Sequence, residues 1–258
     1  MIARHVLATA AAVFLTASLA APVAAQNGGD LIARGDSAHA ALDPAAALAH
    51  YERAIAAEPR NYDALWKASR DAVDLGEGTD DKARRSELYR RGEGYARRAV
   101  EVKPGDAEAH FHLARAVGVA ALALGVSDRV KYATIVREEA LRALELDPKH
   151  PGALHVMGVW NAEVMRLNGF ERMIARTFLG GKVFGTANWA DAIRYMEEAV
   201  AVDPRRLTHH LDLARIYRDR GEKAKAREHY EAVLRGPATE FNDPKYKREA
   251  ERELSAVR

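Results

Sequence analysis

Apolar and polar positions along the chain fall into one recurring phrase that closes a helix: Ala54-Ile-Ala-Ala-Glu-Pro59, Ala99-Val-Glu-Val-Lys-Pro104, Ala143-Leu-Glu-Leu-Asp-Pro148 and Ala199-Val-Ala-Val-Asp-Pro204. In each copy alanine stands five residues ahead of proline, which ends the helix because its nitrogen has no proton to donate. A weaker fifth copy, Val233-Leu-Arg-Gly-Pro237, closes the series. Successive prolines lie 45, 44, 56 and 33 residues apart. The pattern predicts an all-α array over residues 26–258, in units of 28–61, 62–106, 107–150, 151–206 and 207–239 with a last helix over 243–256.

The last unit carries the motif most fully. Leu213-Ala214, Tyr217, Gly221, Ala226 and Tyr230 alternate small and large packing residues, and its length is near the period of about 34 that marks tetratricopeptide repeats. Small residues let paired helices approach while Leu and Tyr fill the grooves between them. The chain thus resembles the tetratricopeptide family, which implies a helical-hairpin solenoid. Earlier units fit with longer helices: Leu31, Gly35, Ala47, Tyr51 and Ala54 in the first after a flexible Asn27-Gly-Gly29, then Leu65, Ala68, Ala96 and Ala99 in the second. Gly76-Glu-Gly-Thr-Asp-Asp81 reads as a loop, and Gly125-Val-Ser-Asp128 as a helix stop followed by a cap.

The fourth unit holds an insertion, Arg166 to Asn188. Phe170, Met173, Ile174 and Phe178 have helical spacing there, so an extra helix over Gly169–Leu179 is expected to fold back over the array between Trp160 and Trp189. Met157-Gly-Val-Trp160, Phe170-Glu-Arg-Met-Ile-Ala-Arg-Thr-Phe178 and Ala190-Asp-Ala-Ile-Arg-Tyr-Met-Glu-Glu-Ala199, with the tail from Gly236 to Ala250, resemble the regulator of microtubule dynamics family over the C-terminal half. The resemblance implies a helical adaptor. Eukaryotic members associate with microtubules, mitochondria or organelle contact sites through a repeat domain.

The N-terminus changes where such an adaptor would work. One Arg among the first five residues, an apolar run over Val6–Leu19 and Pro22-Val-Ala-Ala25 predict a signal peptide over residues 1–25, cut after Ala25. A run of this length is short for a bilayer span, which takes about 20 residues. Export, as to a bacterial periplasm, is the expectation, with an uncleaved N-terminal anchor as the alternative. Such a signal departs from the cytosolic role of the eukaryotic family members.

Composition removes several functions. With 39 Lys plus Arg against 37 Asp plus Glu the formal charge is +2, which gives no argument for a nucleic-acid partner. No cysteine is present, so disulfides, thiol nucleophiles and thiolate metal sites are excluded. The pairs His110/His112 and His209/His210 lack the three- or four-residue spacing that puts two rings on one helix face, so no metal is expected. Gly180-Gly-Lys182 lacks the first glycine and the hydroxyl residue of a phosphate loop, and no strand precedes it; no nucleophile elbow occurs. No cofactor and no catalysis are expected.

A binding stripe is expected instead. Eleven residues after the unit-ending prolines stand Arg70, Arg115 and Arg215, with Val159 in the fourth unit, and four residues ahead of these stand Trp66, Phe111, His155 and Leu211. If first helices line a groove, arginines beside apolar and aromatic neighbours fit a protein or peptide ligand, acidic in character. The alternative partner for those arginines is an Asp or Glu of the preceding unit. A different class, a helical small-molecule-binding component of a periplasmic transport system, would show a sealed apolar pocket near Trp160, Phe178 and Trp189.

Overall fold

A computed structural model describes residues 28–122, 126–169, 171, 173 and 183–257. The expected signal peptide over 1–25 lies outside the described residues, as do Phe170, Ile174 and Phe178 of the expected inserted helix.

Eleven α-helices and no strand are found among the described residues: α1 (Gly28–Ala40), α2 (Pro44–Ala57), α3 (Tyr62–Gly78), α4 (Lys82–Val102), α5 (Ala107–Leu122), α6 (Val126–Leu146), α7 (Pro151–Arg166), α8 (Trp189–Val202), α9 (Leu207–Asp219), α10 (Lys223–Arg235) and α11 (Asp243–Ala256). Each odd helix up to α9 packs on the even helix after it, and each even helix packs on the next pair. The architecture is an all-α helical-hairpin solenoid, as the repeat predicts.

The repeated phrase builds one turn four times. Ala54, Ala99, Ala143 and Ala199 each accept the last amide of their helix, at Glu58, Lys103, Asp147 and Asp203. Those four residues then accept an amide three residues on, from Asn61, Asp106, His150 and Arg206, which starts the next helix. The alanines are fully buried at the helix crossings, where no larger side chain fits. Polar caps set helix starts: Asp43 accepts from the Ala46 amide, Asn61 from Ala64 and Asn188 from Asp191, each satisfying an amide the helix leaves unpaired.

Three local expectations are corrected. α3 runs through Gly76 and Gly78, so only residues 79–81 connect to α4. Gly76 stays helical because the Tyr89 ring of α4 lies where its side chain would be, and the close contact outweighs the helix penalty of about 1 kcal/mol. Gly28 and Gly29 open α1 instead of leading into it, and Val126–Asp128 lie inside α6. Gly221, by contrast, does break a helix. Its φ of 77° closes α9, with the Glu222 amide donating to the Tyr217 carbonyl and the Gly221 amide to that of Arg218.

Candidate functional site: the inner groove

α5, α7 and α9 turn one face each toward a cavity of about 510 Å3, which α11 closes on its far side. Phe111, Val119, Val156, Val159, Trp160 and Ile216 supply its apolar wall. They meet there because residues three or four apart share a helix face. Trp160 is fixed by donating its indole N–H to the Ala133 carbonyl at 2.8 Å and by stacking on Phe184 with ring centroids 6.2 Å apart.

The expected stripe divides. Arg115, Val159 and Arg215 line the cavity, and so do Phe111 and His155. Trp66 and Arg70 lie outside it: Trp66 stacks on His112 at 5.2 Å, and Arg70 sits over the Trp66 ring while its Nε donates to Asp71 Oδ1 at 3.1 Å. Leu211 is a correction, because it is buried in the core that α7 to α11 share and offers no surface to a ligand. Sequence spacing found the helix but not its rotation.

The arginines at the cavity are already paired. Arg115 Nη2 donates to Asp74 Oδ1 and Glu77 Oε2, both at 2.6 Å, from α3 of the preceding pair. Arg215 holds Glu249 at 2.8 Å, Glu253 at 2.6 Å and Asp212 at 3.0 Å. Glu249 and Glu253 are one turn apart on α11, so this helix presents two carboxylates to the arginine as an acidic ligand would. Arg206 in turn meets Glu240 at 3.1 Å. The Glu249/Glu253 spacing of four is visible in the sequence, but which arginine the two carboxylates meet is set by how α11 packs. The expected acidity of the partner gains no support from this arrangement.

His155 bridges α7 and α9. Its Nδ1 shares a 2.9 Å hydrogen bond with His209 Nδ1, and its Nε2 lies 3.3 Å from Asp212 Oδ2. Burial pushes the Asp212 carboxyl up, but the His155 hydrogen bond and the Arg215 charge outweigh it and hold it well below the usual range. Burial, then the electrostatic influence of the neighbouring His155 and Arg206, holds His209 far below its ordinary value of 6.5. The unfolded chain therefore takes a proton at this residue below about pH 6.5 that the folded chain refuses. His209 contributes stability that is full above that pH and lost as the pH falls. Between about pH 7.5 and 5.5 the loss comes to about 1.4 kcal/mol. His209→Gln is expected to flatten the pH dependence of thermal unfolding by that amount; an unchanged slope would show that His209 is not the group being titrated.

The neighbouring histidines turn to separate partners. His110 uses both ring nitrogens, toward Glu139 Oε2 at 2.6 Å and the Pro104 carbonyl at 2.9 Å. His209 faces His155 whereas His210 faces His229. Among the described residues His39, Asp71 and Asp74 bring three ligand atoms within 4.8 Å of one another. Arg70 and Arg115 already neutralise both carboxylates, so the group reads as part of the ion-pair network. Of the residues expected to line a sealed pocket, Trp160 lines the cavity and Trp189 does not, and Phe178 lies outside the described residues.

Paired helices closed by a repeated alanine turn, with their first members lining a groove, define a tetratricopeptide-type solenoid. A thermophilic TPR protein of Thermus thermophilus shares the fold with a TM-score of 0.63 at 17% identity, covering 86% of this chain and 98% of that one. More specifically, the chain belongs to the family described as Regulator of microtubule dynamics protein 1-3, whose model matches residues 31–258. The family likeness thus extends well beyond the C-terminal half in which the motifs are legible. The chain is 30% identical over 150 residues to Regulator of microtubule dynamics protein 1 of Bos taurus, covering 57% of this chain and 46% of that protein. It is 25% identical over 198 residues to Regulator of microtubule dynamics protein 3 of Mus musculus, covering 76% and 41%. The match spans less than half the length of either relative.

Proposed function

We propose that this chain is a non-catalytic scaffold whose inner groove, between α5, α7, α9 and α11, receives an apolar-faced segment of a protein partner. The observation that carries this reading is the cavity: its wall is apolar while the arginines around it are satisfied within the chain. An entering segment then gains by burying side chains against Phe111, Val156, Val159 and Trp160, at about 25 cal/mol per Å2 of apolar surface removed from water. An acidic segment would have to displace Glu249 and Glu253 from Arg215, exchanging one ion pair for another with little net gain. Membership in the regulator of microtubule dynamics family supports the scaffold reading.

No helix among the described residues is long and apolar enough to cross a membrane. The placement of the array outside the cytosol rests on the sequence of residues 1–25.

The test is affinity capture from the protein's own cell extract, comparing wild type with Val159→Glu, which puts a charge on the groove floor. A protein captured by the wild type and reduced at least about ten-fold with the variant, at equal thermal stability, is the expected result. An unchanged set of captured proteins would sink the groove as the binding face. Recovery of a small molecule alone would favour the transport-component class instead.

A further inference from the structure

The segment between α10 and α11 does something that a terminal capping helix does not require. Residues 236–242 and the first turn of α11 reach across the groove to the C-terminal end of α3, 168 residues away in sequence. Asn242 Nδ2 donates to the Asp74 carbonyl at 3.0 Å, and Lys245 Nζ donates to the Glu77 carbonyl at 2.6 Å. Glu77 belongs to the last turn of α3, whose carbonyls lack helical partners and form the negative end of the helix dipole. The exposed Phe241 ring lies against Gly78 beside them. The strap is also shaped in advance: the Thr239 and Glu240 amides both donate to Asp243 Oδ2 at 2.7 Å.

We propose that this strap is a latch that closes the solenoid on itself and gates the cavity. α11 is anchored independently of the latch, because Ala250, Leu254 and Val257 pack into the core of α9 and α10 and Glu249 and Glu253 hold Arg215. Its tip is joined to α3 by two hydrogen bonds and the edge of one ring. On the strap side of the cavity stand Lys245 and Glu240, the latter paired with Arg206, while Tyr246 and Glu249 belong to the anchored part of α11. Breaking the two hydrogen bonds lets the strap around Asn242 and Lys245 swing from α3 without unpacking α11. Access to the groove is then an equilibrium set by one neutral and one charge-assisted hydrogen bond, a bias of about ten-fold or more toward the closed form. The latch builds on the proposed groove, yet its test needs no partner, so the two can fail separately.

Because the chain has no cysteine, one introduced thiol reports access directly. Val156→Cys places it on the cavity wall and Gly94→Cys places it on open surface. The rate of alkylation by N-ethylmaleimide, read by intact mass, is compared with and without Asn242→Ala plus Lys245→Ala. The wall thiol is expected to react about ten-fold faster once the latch is removed, with the surface thiol unchanged and cooperative unfolding retained. A wall thiol that already reacts as fast as the surface thiol, or gains less than two-fold, overturns the proposal. Should the double variant fail to fold, Lys245→Gln alone puts the same question, and no acceleration there overturns it equally.

Discussion

Arg115→Ala is expected to lower the free energy of unfolding by about 3 kcal/mol. The guanidinium is largely buried between Asp74 and Glu77, each 2.6 Å from the same nitrogen. Burial pushes the Asp74 carboxyl up, and the Arg115 charge and hydrogen bond outweigh this to hold it below the usual range. Deleting the arginine leaves two carboxylates facing each other in a poorly solvated groove, which costs far more than the pair itself contributes. Arg115→Lys should lose less, since the charge remains while the planar fork is lost. Urea unfolding of the three proteins is the measurement; an alanine variant with an unshifted midpoint would show that the pair is effectively solvated. A partner lost on mutating Arg115 can be read as loss of a contact only if the variant is shown to remain folded.

The second large effect is expected at the N-terminal end of the array. Tyr51→Ala should destabilise by about 3–5 kcal/mol. Tyr51 is fully buried, its ring lies against Gly35 of α1, and its hydroxyl donates to Asp36 Oδ1 at 2.7 Å. Removing the ring empties the seam between α1 and α2, where Gly35 has no side chain to fill the space. Tyr51→Phe keeps the packing and loses the hydroxyl's bond to Asp36 and the longer one it accepts from Arg70 Nη2 at 3.4 Å, for about 1 kcal/mol. A solenoid unfolds by neighbouring units, so the loss should appear first as fraying of α1 and α2 in hydrogen exchange. Uniform exchange along the chain in the alanine variant would contradict that picture.

Much of the fold is local chemistry and is legible for that reason. The phrase ending in proline is a helix stop whose parts lie within six residues, and its four copies place the first four pair ends without knowledge of the partners. Glycines are less legible. Gly76 and Gly78 look like loop residues until Tyr89 is known to lie over Gly76, and nothing near them in sequence announces that ring.

The stripe shows where local reasoning ends. A fixed offset from proline gives a fixed position along a helix, and Arg115, Val159 and Arg215 do share the groove. It does not give the rotation of each helix in its own packing, so Arg70 and Trp66 fall outside the cavity and Leu211 points into the core.

The helix class, the repeat and the place where each helix stops are thus written in the residues alone, because these depend on backbone sterics and on side chains one turn apart. Which charges are spent, and what encloses the groove, emerges when the helix pairs assemble. Arg215 meets Glu253 across 38 residues, and Asn242 meets Asp74 across 168. Such contacts depend on the summed rotations of the helix pairs between them, a quantity that no short window of residues contains.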